Sequence, residues 1–292
     1  MISYNPKRWF SIIFHSYGRH VIKALRPALI FITLYTGAIC YVMLTLLRLH
    51  EQDLHSTITM HQLLGIVLGL FLVFRTNTSY DRWWEGRKLW GSMVNNTRNL
   101  AIKINSYLLK EDVDQRAWFA QMIVNLPLSL KEHLRDGVNP SDLDLVDNVM
   151  YKKIEQARHV PNAIISLIYD QCTDLHKTRK ITGDHLIILD KELKEFSDIV
   201  GACERIKNTP IPYSYSMYIK KFIFIYLLTL PFGLVTAEEY LTIPIVLLIT
   251  YVLLGVELIA EEIEDPFGKD SNDLPTDELS SKIKDNVWEI LL

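Results

Sequence analysis

Cysteine is scarce in this chain: Cys40, Cys172 and Cys203 are an odd number, far apart, and none belongs to a CxxC pair. That argues against a disulfide framework and a thiolate zinc site, and leaves three ordinary buried thiols. Also missing are HExxH, GxSxG and a glycine-rich phosphate loop, the patterns that would gather a metal, a nucleophile or a phosphate grip in one place. His15, His20, His50, His55 and His61 are too scattered to argue for a metal site. The chain is therefore not read as an enzyme. No sign of charge dominates: Lys and Arg number 31 against 34 Asp and Glu, a net charge of -3. No basic stripe interleaved with aromatics lies away from the hydrophobic runs, so nucleic acid is not an expected partner. Met1 to Pro27 alternates aromatic and basic residues without a continuous apolar stretch, which argues against a cleaved signal peptide.

What the chain does have is apolar residues, 49% of the total, concentrated in runs near its two ends. Four runs, 28–47, 57–74, 219–235 and 242–260, approach the ~20 residues a helix needs to cross a bilayer. The connection from Arg48 to Ser56 carries one Arg against Glu51 and Asp53, and the turn Ala237 to Tyr240 carries no Lys or Arg. Basic residues gather at the opposite ends: Arg19, Lys23 and Arg26 before the first run, Arg75, Arg82 and Arg87 after the second, Lys220 and Lys221 at the third. Because cytoplasmic flanks carry the excess of Lys and Arg, both termini are expected in the cytoplasm. The expected division is an interfacial segment 1–27 punctuated by Pro27, a first helix pair 28–74, a soluble region 75–218, a second pair 219–260, and an acidic tail 261–292. The soluble region shows three- and four-residue apolar spacing with no strand alternation, so it is expected to be all-helical.

Two stretches stand out chemically. From Gly65 to Gly91 an apolar run passes without a break into Arg75, Asp81, Arg82, Glu85, Arg87 and Lys88, set among Trp83, Trp84 and Trp90. Tryptophan favours the headgroup level, so this marks a membrane boundary. Within the run, Gln62, Ile66 and Leu70 are four apart and share one helix face, while Gly65 and Gly69 form a neighbouring row that admits another backbone. Periodicity alone leaves that face turned either to lipid or to a pore. The second stretch follows the fourth run: Glu257, Glu261 and Asp265 are again four apart, Glu262 adds charge, and Asp270, Asn272 and Asp273 bring closely spaced oxygens after Pro266 and Gly268. Clustered oxygens suit a hard cation such as calcium, although the spacing is not that of an EF-hand. They also suit pairing with the arginines after the second run, which would fix neighbouring subunits to one another.

RTNTSYDRWWEGRKLWG, from Arg75 to Gly91, and EDPFGKDSNDLP, from Glu264 to Pro275, resemble the bestrophin family in its bacterial branch, and the order of the four runs extends the likeness over the whole chain. The resemblance implies an all-α membrane protein with four transmembrane helices and a helical cytosolic region, assembled as a homopentamer around one central pore in the bacterial inner membrane. It implies a hydrophobic neck built from the second span, at Gln62, Ile66, Leu70 and Phe74, with Val73 as an alternative extension. Gln62 and Leu70 depart from the Ile and Phe rings usual in the family. A second, cytosolic constriction is expected near Asp184 to Ile188, with Leu186 as its candidate. In animal members the acidic segment forms a calcium clasp; Asp265, Asp270 and Asp273 match its side-chain positions and Glu262 a carbonyl position. A divalent cation, Ca2+ or Zn2+, is the candidate ligand there, and no cofactor is required. The expected activity is passive conduction of monovalent cations, Na+ and K+, as associated with the bacterial branch. The alternatives are a chloride channel of the same fold, as in animal relatives, and a non-conducting scaffold. The partners implied are the lipid bilayer, the permeant ions and further copies of the chain.

Overall fold

A computed structural model describes the backbone of residues 16–48, 55–143 and 148–292, and side chains from residues 20, 58 and 152 onward in those segments. The first fifteen residues and Glu51 and Asp53 of the first connection lie outside it. Among the described residues there is no strand. The helices are α1 (Ser16–Cys40), continued by a π-helical turn Tyr41–Leu46, then α2 (His55–Tyr107), α3 (Val113–His133), α4 (Asn148–Glu155), α5 (Val160–Lys177), α6 (Gly183–Asn208), α7 (Tyr213–Glu238), α8 (Thr242–Glu264) and α9 (Thr276–Leu291). Short 3-10 turns at Pro140–Asp142 and Glu239–Leu241 fill two of the connections. The chain divides into two compact units, one of Ile2–Asp81 with Pro210–Glu264, the other of Arg82–Thr209 with Asp265–Leu292.

Among the described residues, three stretches are long and apolar enough to cross a membrane: His20–Leu46, Ile58–Tyr107, which begins in the first unit and ends in the second, and Tyr213–Glu264, which holds α7 and α8. The core of the first unit is a cluster of Ile32, Leu68, Leu72, Ile219, Ile223, Tyr226, Leu227, Leu230 and Val246. Leu34, Phe224 and Leu248 point outward, as apolar residues do where lipid replaces water. Pro27 was expected to end an interfacial segment, but α1 passes through it. The reason is continuous antiparallel packing on α8. A Cβ at Gly255 would meet Val21, and one at Gly37 would meet Ile243, so contacts on both sides of Pro27 hold the helix across its one missing hydrogen bond. Where α7 ends, Glu239 adopts φ +48°, and the chain reverses within three residues into α8.

The second unit is arranged around α3. Phe119 to Pro127 are all buried, which is what a helix surrounded on every side requires, and α5 and α9 pack against it. Helix starts follow the sequence closely. Thr182 caps α6, its hydroxyl accepting from the His185 amide at 3.3 Å, and Pro161 occupies the first turn of α5, where its missing N–H goes unneeded. Cys172 and Cys203 are buried free thiols, and burial pushes both up to about 12, so neither is a reactive thiolate at neutral pH.

The amino end of α9 is fixed by charge. Arg135 donates to Asp277 at 2.8 Å and Lys131 does so at 2.8 Å, and the Arg135 hydrogen bond holds the Asp277 carboxyl well below the usual carboxylate range. A depressed carboxyl contributes stability above its unfolded pKa, roughly 4, and loses it as pH falls through the folded value. Asp277→Asn is therefore expected to lower the melting temperature at pH 7, and the gap to wild type should narrow progressively below pH 4. A gap independent of pH would assign the effect to packing instead.

Candidate functional site

Helix α2 has two faces of different character. Leu68, Leu72, Arg75 and Ser79 are buried along one of them. On the other, Gln62, Ile66, Leu70 and Phe74 are exposed at four-residue steps, with Ile66 71% exposed and Val73 as uncovered as Phe74, at 55%. The buried face meets α7 through close, shaped contacts. Phe71 stands edge-on to Tyr218 and Phe222 at 6.0 and 6.3 Å. His61 shares a 3.1 Å hydrogen bond with Thr229. A Cβ on Gly65 would stand 2.9 Å from the Tyr226 hydroxyl, and one on Gly233 would stand 2.9 Å from His61 Nδ1. Gly69, the other member of the small-residue row, has nothing within 4 Å of such a Cβ.

Where the apolar run of α2 ends, Arg75 is 1% exposed. Its Nη2 donates to Glu264 at 2.6 Å, its Nη1 to the Ser79 hydroxyl at 3.1 Å, and its Nε lies 3.6 Å from Glu257. Glu264 in turn accepts from the Ile211 amide at 2.9 Å. The pairing of these acids with the arginines after the second run, expected between neighbouring subunits, is made by Arg75 within one chain. The three carboxylates at four-residue spacing divide among three cations: Glu257 to Arg75, Glu261 to Lys220 at 2.9 Å, and Asp265 to Lys207 at 2.6 Å.

The acidic segment is a turn closed on itself. Asp273, 2% exposed, accepts from the Asp270 amide at 2.7 Å, and Leu274 N–H donates to Pro266 at 2.9 Å. Trp83 Nε1 donates to the Asn272 carbonyl at 3.0 Å, which gives one tryptophan of the boundary cluster a polar partner. Phe267 is buried in the core of the second unit, and a Cβ on Gly86 would press on its ring and on Leu274 at 3.2 Å. Glu262, on α8, lies 3.6 Å from His20. As arranged, Asp265 is turned to a lysine and Asp273 to a backbone amide, while Asp270 is exposed. Leu186 is partly buried against the core of the second unit, and its neighbour Ile187 is 72% exposed.

Sequence reading missed one constellation. Among the described residues, the group of three His, Cys, Asp or Glu side chains whose ligand atoms lie within 4.8 Å of one another is His133, His159 and Glu204. These positions are 26 and 45 residues apart, so no local motif announces them.

The whole chain matches known proteins. A family model described as bacterial/fungal bestrophin protein matches residues 1–289. A protein of Nostoc sp. named voltage-dependent anion channel-forming protein is 36% identical over 289 residues, 97% of this chain and 92% of its own length. A protein of Ralstonia nicotianae with the same descriptive name is 30% identical over 292 residues, 97% of this chain and 92% of its own. A bacterial bestrophin homologue from Klebsiella pneumoniae, solved by zinc phasing, superposes with a TM-score of 0.83 at 29% identity, over 90% of this chain and 97% of that one.

Removing the Arg75 charge tests the buried cluster. Arg75→Gln would leave the buried Glu257 and the partly buried Glu264 without this cation, at a cost of about 3–5 kcal/mol by the buried-pair scale. A clear fall in melting temperature in detergent is expected, partly restored in the Arg75→Gln/Glu264→Gln double variant. An unchanged melting temperature would remove the ion pairs from any structural role.

Proposed function

The chain belongs to the bacterial and fungal bestrophin family, and from that premise we propose that it is an ion channel of the bacterial inner membrane, a homopentamer conducting monovalent cations through a neck of five α2 helices. The observation that carries the reading is the uncovered apolar row of Ile66, Leu70 and Phe74 on α2, opposite a face already committed to α7. One chain leaves that row without a protein neighbour, and a ring of five such rows makes a narrow apolar passage. Such a passage gates by dewetting, so a small change in radius or polarity switches conduction. Gln62 adds a polar ring at the outer end of the row. No step in this scheme makes or breaks a covalent bond, and no residue acts as a catalyst.

Selectivity for cations rests on acidic residues outside the neck, such as Asp184 and Asp190, since α2 offers the passage no fixed charge of either sign. From Ile58 to Phe74 it carries no charged side chain apart from the titratable His61, which is turned to Thr229. Arg75, the first cation after the row, is buried and neutralised by Glu257 and Glu264. An anion path ordinarily offers exposed Arg or Lys. The second reading, an anion channel of the same fold, is favoured by the descriptive names of the Nostoc and Ralstonia relatives.

The cytosolic constriction belongs, in this proposal, to the first turn and a half of α6, at Leu186 and the exposed Ile187 beside it. Asp184 and Asp190 flank them with negative charge. The acidic segment acts as a structural turn. Lys207 holds Asp265 Oδ2 and the Asp270 amide holds Asp273 Oδ2 in that turn, and conduction needs no cofactor. Both termini are assigned to the cytoplasm by the loop charges.

Purified protein in a planar bilayer under a NaCl gradient decides the matter. A reversal potential on the sodium side, with conductance changed several-fold by Ile66→Ala, is the expected result. A reversal potential on the chloride side would replace the selectivity assignment and keep the channel. Absence of current from correctly assembled protein would overturn conduction itself.

A further inference from the structure

Three helices of the second unit converge on one carboxylate oxygen. His133 is the last residue of α3, His159 is the N-cap of α5, and Glu204 lies in the penultimate turn of α6. His133 Nε2 is 2.7 Å from Glu204 Oε1, and His159 Nε2 is 2.6 Å from the same atom. The two imidazoles face each other with ring centroids 4.5 Å apart. All three side chains are roughly one quarter to one third exposed, at 27%, 31% and 26%, so the group is open to solvent on one side. There it borders a cavity of about 520 Å³ whose lining includes Asn162, Tyr169, Ser197 and Glu204.

We propose that His133, His159 and Glu204 form a zinc-binding site. Two imidazole nitrogens and one carboxylate oxygen are a ligand set zinc takes readily, and three protein ligands with a fourth position left to water define an open zinc site. The cavity beside Glu204 supplies room for that water. Calcium is disfavoured because it takes oxygen ligands in larger number, six to eight. Tetrahedral bonds of about 2.0–2.2 Å put ligand atoms roughly 3.3–3.5 Å apart. The present nitrogen–oxygen separations therefore need to open by less than about 1 Å, within the reach of side-chain rotation at the partly exposed ends of three helices.

The chemistry of His159 supplies a specific signature. Its Nδ1 accepts from the Asn162 amide at 3.2 Å, so in the neutral ring the proton resides on Nε2 and is donated to Glu204. Zinc at Nε2 requires that lone pair. The proton leaves Nε2 and Nδ1 becomes the protonated nitrogen, which ends the cap to Asn162. Zinc loading should therefore change the environment of the Asn162 amide as well as those of the three ligands. The metal would tie the end of α3 to the start of α5 and the end of α6, three elements otherwise joined here by two hydrogen bonds.

The test uses full-length protein in detergent, stripped with chelator and titrated with ZnCl2 by calorimetry, with a chromophoric chelator in competition. Wild type should bind one zinc per chain at this site, with at least tenfold weaker binding or one zinc fewer in His133→Ala, His133→Gln and Glu204→Gln. Asp273→Asn, in the acidic segment, should keep it, and CaCl2 at the same concentration should not compete. The same zinc stoichiometry and affinity in wild type and all three site variants would overturn the proposal, as would failure of folded wild type to bind zinc. Should the variants not fold, X-ray absorption on zinc-loaded wild type reads the shell directly. Two imidazoles and a carboxylate support the site, and an all-oxygen shell sinks it.

Discussion

Arg75 sets the orientation of the helix on which the first unit depends. A guanidinium that is 1% exposed at the end of an apolar run has to find anions, and it finds them on α8, at Glu257 and Glu264. Once that contact is made, the rotation of α2 about its axis is fixed. Leu68 and Leu72 turn inward, and Ile66, Leu70 and Phe74 turn outward. Hydrophobicity alone would not choose between these faces, because both are apolar and lipid accepts either. The buried charge supplies the discrimination that the hydrophobic effect lacks in a bilayer.

The acidic segment extends the same logic into the second unit. Its carboxylates meet Lys207 and a backbone amide, its aromatic residue Phe267 enters the core beneath Gly86, and Trp83 reaches back to the Asn272 carbonyl. The two sequence stretches that carry the family resemblance are thus also stretches that touch. Their side chains are matched: a tryptophan N–H to a carbonyl, a glycine to a phenylalanine ring.

How much could be read from the chain alone varied with the range of the interaction. Helix identity and the four apolar runs were legible, because 3.6-residue periodicity and the clustering of apolar residues act within a few residues. The passage of α1 through Pro27 was not, because it depends on Val21 meeting Gly255 and Gly37 meeting Ile243, contacts more than two hundred residues apart in sequence. The outward row of α2 was visible as spacing, and its exposure depends on the partner chosen by Arg75. Leu186 and Ile187 show the limit of register. Adjacent apolar residues on one helix point about 100° apart, so one packs inward and the other is uncovered. The triad of His133, His159 and Glu204 carries no local signal at all, since α3, α5 and α6 must first be packed together.

The paired notches at Gly65 and Gly233 constrain how α2 can move. Tyr226 of α7 fills the space a side chain at Gly65 would take, and His61 of α2 fills the one at Gly233, so each helix presses a ring into a gap in the other. A reciprocal lock of this kind resists twisting in both directions, because turning or sliding α2 alone drives one ring into a backbone while it empties the opposite gap. Any widening of a passage lined by α2 is then left to two motions: rotamer changes of the lining side chains, fast and small, or travel of α2 and α7 together as one rigid stave. The first would make an opening graded and the second would make it all-or-none, so in the proposed channel the two glycines would decide the character of the gate.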